Sequence, residues 1–143
     1  HFGVGGDMAI KFKLSIRTAR IGQVESIINT EEGGAPYLCF YTGAPPTNIT
    51  DANSGTFVGS FQLPVDWLTA ASSGAVGKNG TWSGALATGG DIGHFRIQNA
   101  ARNTTYMQGT AGTSGTDMII DNDVMTAGQV LTVTACDLTD GNA

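Results

Sequence analysis

Basic side chains are few in this sequence: seven Lys and Arg against twelve Asp and Glu, for a formal net charge of −5. Lys11, Lys13, Arg17 and Arg20 crowd near the start, and only Lys78, Arg96 and Arg102 follow. A nucleic-acid groove needs a dense basic stripe along the phosphates, so that class of partner is excluded. Long apolar runs are also missing. No stretch reaches the length a membrane-spanning helix takes, so no membrane partner is expected. The opening HFGVGGDMAIKF lacks the apolar core of a secretory signal, and Met8 reads as a native start with residues 1–7 as upstream sequence.

Cysteine is equally sparse, with Cys39 and Cys136 alone in the apolar runs YLCFY and VTACDL. A bridge between them would close a loop of roughly a hundred residues and add about 4–5 kcal/mol. Two cysteines do not make a disulfide scaffold, so the favoured reading is a pair of small buried residues with free thiols. Histidine is limited to His1 and His94, and neither has the Cys/His spacing of a zinc site. No G-x-S-x-G elbow accompanies His94, which reads as a partly exposed strand residue rather than a catalytic base. Without a nucleophile, base and orienter to assemble, the chain is read as no enzyme, with no cofactor.

What is present is glycine and neutral polar surface. Charged residues make up 13% of the chain, about half the usual share, so Thr, Ser, Asn and Gly must cover the exterior. That composition suits strands joined by tight turns, and it suits a surface that meets other proteins. At 143 residues the chain forms one domain with a real core.

Along the chain, AIKFKLSI alternates Ile10, Phe12, Leu14 and Ile16 with Lys11, Lys13 and Ser15, the period of a strand with one solvated face. SIRTARIGQVESIINTEEGG repeats its apolar residues at three- and four-residue steps through Ile21, Val24, Ile27 and Ile28, which predicts one helix. Gly22 weakens that helix, and Gly33–Gly34 stop it. From residue 36 onward the signals are β. PYLCFYTG, GTFVGSFQLP, IGHFRIQN, TTYMQG, TDMIIDN and QVLTVTACDLT are short strands parted by turn residues. GTFVGSFQLP places Phe57, Gly59, Phe61 and Leu63 on one face. The Gly/Ala/Ser-rich middle carries one or two short strands, with Trp67 and Trp82 as core plugs. The fold class that follows is mainly β: an antiparallel β-sandwich, jelly-roll-like or Ig-like, with one short N-terminal helix. Residues 1–13 are an arm and strand, and residues 14–143 a single β-sandwich domain.

The stretch MQGTAGTSGTDMIIDND is the one most suggestive of chemistry. Asp117, Asp121 and Asp123 offer oxygen ligands for calcium, but Val124 stands where a binding loop needs its glycine. In a strand, Asp117 and Asp121 lie about 13 Å apart, too far for one ion. They read instead as turn-shaping residues, because Asp bonds its own nearby backbone. GVGGD and GTAGTSG lack the Lys and following helix of a phosphate loop, and GTAGTSG reads as a reversal between two strands.

GHFRIQN and YMQGTAGTSGTDMIIDNDVMTAGQVLTVTACDLTDGN together resemble the C-terminal half of a group of small virion structural proteins of tailed bacteriophages, the capsid cement or decoration type. The resemblance covers residues 93–142 and rests on Phe95, Arg96, Ile97, Met107, Gly109, Gly112, Thr113, Ser114, Gly115, Asp117, Ala127, Gly128 and Gln129. It is looser in PYLCFYTGAPP and SIRTARIGQVESII. It implies a non-enzymatic protein of the virion, made in the bacterial host cytoplasm, that binds the major capsid protein on the shell exterior as a homo-oligomer, dimer or trimer. The candidate interface is the N-terminal arm, with Phe2, Ile10 and Phe12 as apolar anchors and Lys11 and Lys13 facing acidic capsid patches, added as a strand to a neighbour's sheet edge. The alternatives are a tail or head–tail connector component, or a carbohydrate-binding module using exposed Trp and Tyr.

Overall fold

The computed structural model describes residues 10–141. Two helical segments come first, α1 (Leu14–Ile21) and α2 (Val24–Glu32). The strands follow: β1 (Tyr37–Thr42), β2 (Phe57–Gln62), β3 (Ala75–Gly77), β4 (Ser83–Ala85), β5 (Gly90–Gln98), β6 (Thr105–Gly112), β7 (Met118–Ile120), β8 (Val124–Met125) and β9 (Val130–Thr139). With 40% strand and 13% helix among the described residues, the chain is mainly β and sandwich-like, as its turn-punctuated strands imply. The expected single helix is two consecutive segments. Their break falls at Gly22, which has αR geometry and whose missing side chain lets Ala71 approach. Gly33 ends α2 in the left-handed conformation at φ 74°, the stop expected of it.

The strands form one mixed sheet in the order β2-β1-β5-β6-β7-β9-β3, with β4 also on β9 and β8 on the start of β5. Every pairing is antiparallel except β6 with β7, where Ala111 lies beside Met118 and Gly112 beside Ile119 in the same direction. GTAGTSG is therefore not a simple reversal. The chain leaves β6, loops once and re-enters alongside the strand it has just left. Asp117 pins that loop, its carboxylate accepting from the Thr110 N–H at 2.9 Å and the Thr110 hydroxyl at 3.1 Å. The left-handed position is Gly115 (φ 69°).

The sheet curls until its ends meet. The Thr88 N–H donates to the Val58 carbonyl at 3.1 Å, and β2 packs against β4. A Cβ on Gly84 would lie 2.6 Å from the Phe61 Cβ, and one on Gly59 would lie 2.7 Å from the Leu86 Cβ. Inside sit Leu38, Phe40, Val58, Phe95, Ile97, Leu131 and Val133, capped by Trp67 and Trp82 with rings 6.0 Å apart and no exposure. Both indoles keep a polar partner, Trp67 on the Asn29 side chain and Trp82 on the Asn79 carbonyl, each at 3.0 Å. Truncating a plug of this size costs about 3–5 kcal/mol.

One expected face is broken. Cα pairing jumps from Phe40–Gly59 to Tyr41–Phe57, so Val58 sits in a bulge. Phe57 consequently turns outward beside Tyr41, while Phe61 stays on the core side.

Gly84→Ala and Gly59→Ala should each lower stability by about 1–3 kcal/mol, because the added methyl meets a side chain or backbone that cannot move without parting the seam. Denaturant unfolding checks this. The double variant should lose less than the sum, since both substitutions open the same contact.

Candidate functional site

The N-terminal segment differs most from its sequence reading. Ile10, Lys11, Phe12 and Lys13 form no strand; they are unpaired chain, and Lys13, with extended backbone, is the residue before α1. Phe2 lies outside the described residues. The alternation in AIKFKLSI loses to the helical spacing that overlaps it, because Arg17 and Arg20 on one face of α1 both reach the end of β9. Arg20 grips the Asp140 carboxylate through two bonds of 2.8 and 2.7 Å, and Arg17 reaches the Asp140 carbonyl at 3.2 Å. The Arg20 guanidinium also lies 4.1 Å over the Phe12 ring, so Phe12 is half-buried against its own helix. Lys11 and Lys13 are exposed.

This helical layer is held to the sheet largely by polar clasps. Asn29 bonds the Val65 carbonyl, the Glu25 carboxylate accepts the Leu68 N–H, and Tyr106 donates to Glu32 at 3.1 Å. α1 buries no residue and α2 only Ile28. Ile10, Leu14, Ile16 and Ile27 are left 46%, 45%, 47% and 53% exposed. A groove of about 300 Å³ runs between the helices and the sheet, lined by Ile21, Val24, Ile27, Tyr106, Met107 and Leu138. It lies beside the start of β6, whose residues Thr105–Gln108 have β5 on one edge and, among the described residues, no strand on the other, β7 pairing only Ala111 and Gly112. The sequence reading did not bring Tyr106, Met107 and Leu138 together. They sit on two strands far apart in sequence, and only the shortness of β7 brings them to one groove.

The outward face of β5 is polar and nonetheless buried. His94, Arg96 and Gln98 alternate with the core residues Phe95 and Ile97, and the loop 43–56 lies across them. Arg96 donates to the Gln108 side chain, the Asp51 and Asn48 carbonyls, Asn53 and Thr105 at 2.8–3.3 Å. Gln98 accepts from Tyr41 at 2.6 Å and donates to Asn53 and Thr105 at 2.8 Å. Gln108 in turn donates to the Pro46 carbonyl at 2.7 Å. A loop rich in orphan carbonyls thus finds its donors on the sheet.

His94 is not partly exposed, as its sequence context suggested, but fully buried. It stacks on Tyr41 with ring centroids 5.3 Å apart. Its Nδ1 lies 2.8 Å from the Gly43 carbonyl, and its Nε2 has no partner among the described residues. Burial holds its pKa below the ordinary histidine value, with the Gly43 bond acting against that and the Arg96 charge reinforcing it.

The remaining candidates take structural places. Asp121 accepts the Thr132 N–H at 3.0 Å, and the Asp123 carbonyl accepts the Ile92 N–H at 2.7 Å. These contacts, with the Asp117 clasp, join loops to strands. Cys39 and Cys136 are free and buried, with burial pushing their thiols up to about 12 and about 11 respectively, so neither is a ready nucleophile. Trp67, Trp82 and Tyr41 are buried and offer no platform for a sugar.

No family model, no curated protein and no solved structure matches this chain.

Because burial lowers the His94 pKa in the fold, the unfolded chain takes up the proton first, so stability is fully present above the unfolded pKa of about 6.5 and falls as pH drops below it. Urea unfolding between pH 7.5 and 5 should show this loss, approaching at most about 1.4 kcal/mol per pH unit. His94→Gln should flatten the profile over that range. A variant keeping the full slope would assign the titration to another group.

Proposed function

We propose that this chain is a non-enzymatic structural protein of a tailed-bacteriophage virion, one that binds the capsid exterior and stabilises the assembled shell. The observation that carries the reading is the N-terminal layer. Ile10, Leu14, Ile16 and Ile27 are half-exposed in this layer, Ile27 also lines the apolar groove beside the start of β6, and the molecule has little surface charge to keep neighbours away. Exposed apolar surface gathered in one region marks a contact site. The resemblance read in residues 93–142 suggests the kind of partner, the major capsid protein.

In this reading the interface is the segment 10–13 together with α1 and α2, in place of the arm and strand AIKFKLSI, residues 9–16. Lys11 and Lys13, both exposed, meet acidic capsid surface, and Ile10 and the outward residues of α1 and α2 supply the apolar contact. Phe12 is committed in part to Arg20 and contributes less than its sequence position suggests. Binding in many copies across shell junctions stabilises the assembled state by mass action, since only that state presents the paired sites.

Ile16→Asp with Ile27→Asp should change folding stability by no more than about 1 kcal/mol, because both side chains are already half in water. The same variant should weaken co-sedimentation with expanded shells by at least about ten-fold, the equivalent of about 1.4 kcal/mol. Deleting residues 1–13 should abolish decoration while leaving a folded sheet. Decoration at wild-type levels by either protein would refute this interface.

A further inference from the structure

We propose a second site on the opposite kind of surface: the cleft between the 48–53 loop and the β5–β6 turn binds a small organic monoanion through its carboxylate, gripped by Arg102 in the field of Arg96. This reading does not depend on the capsid proposal.

Arg96 is 1% exposed, and every acceptor it reaches is a neutral oxygen. Among the described residues no carboxylate oxygen lies within 4.0 Å of it, the one ion pair there being Arg20 with Asp140. Neutral acceptors satisfy N–H groups but do not cancel the charge, and a buried charge without a counter-charge is costly. Tying the 48–53 loop to the sheet accounts for the hydrogen bonds of Arg96. It does not account for what stands next to it.

Arg102 borders the same cleft. It occupies a left-handed backbone position (φ 59°) in the β5–β6 turn, where glycine or asparagine would sit without strain. Its guanidinium lies 3.7 Å over the Phe57 ring, which fixes the plane of a fork suited to a carboxylate. Two further donors stand on the rim. Asn103 accepts from Asn99 through Oδ1, which leaves its NH2 group for a ligand, and the Thr104 hydroxyl has no partner among the described residues.

The charge of the site selects the ligand. Two guanidiniums and the carboxylate of Asp51, which also lines the cleft, sum to one positive charge, which favours a monoanion over a phosphate dianion. The cleft holds about 550 Å³, more than a bare ion fills, and Ile49 gives it an apolar wall for a small organic body.

The test is a nuclear magnetic resonance titration of the full chain at pH 7 and constant ionic strength, with sodium acetate, sodium phosphate and sodium chloride as probes. The Arg96 Nε–H and the Asn103 and Thr104 amides are followed. Acetate should shift all three saturably, with phosphate weaker and chloride giving no saturable shift. Arg102→Gln, which leaves the Arg96 network intact, should weaken acetate binding at least about ten-fold, while Lys78→Gln should bind as the wild type does. Linear shifts, equal shifts with chloride, tighter binding of phosphate, or an Arg102→Gln protein that titrates normally would each overturn the assignment.

Discussion

Where β2 meets β4, Gly59 lies under Leu86 and Gly84 under Phe61, and the absence of two side chains lets the ends of one sheet touch. The rest of the architecture depends on this contact. A sheet drawn closed there encloses a single core, and the bulky groups of the small-residue middle segment, Trp67 and Trp82, become the plugs that fill it. Closure also fixes where the sheet is incomplete. β7 is three residues long between strands of eight and ten, so β6 and β9 have nothing between them beyond its end. The helical layer covers that gap, held by Asn29, Glu25 and the two arginines on Asp140 more than by buried apolar surface.

The two faces of the central strands follow different physics. Leu38, Phe40, Phe95 and Ile97 point to the core and are held by exclusion from water. Tyr41, His94, Arg96 and Gln98 point the other way and are covered by a loop whose Gly43, Pro46, Asn48 and Asp51 carbonyls are hydrogen-bonded to the sheet. Such a network rigidifies the loop and also concentrates charge and strain beside an open cleft. The apolar helical layer and the polar loop face are thus separate surfaces with separate chemistry.

The strands were largely legible in the sequence, because β propensity and turn punctuation act locally. PYLCFYTG, IGHFRIQN and QVLTVTACDLT lie within β1, β5 and β9 or contain most of them, and the Trp plugs and free thiols stand as read. What was not legible depends on tertiary contact. AIKFKLSI alternates like a strand, but no sheet edge receives it, and Asp140 at the far end of the chain draws Arg17 and Arg20 into a helix instead. His94, between Gly93 and Phe95, gives no hint in sequence of the loop that covers it. The bulge at Val58 reverses Phe57, and the parallel return at β7 replaces a turn; both are set by register. The groove is invisible in sequence because its walls come from helices and from two distant strands.

The role proposed for this low-charge, mixed β-sheet is to bind a virion shell through the surface that its helical layer leaves open. The most direct measurement is the copy number of this chain in purified virions relative to the major capsid protein, by quantitative mass spectrometry. The account predicts a number comparable to the capsid protein. A handful of copies per particle, or none, would contradict it.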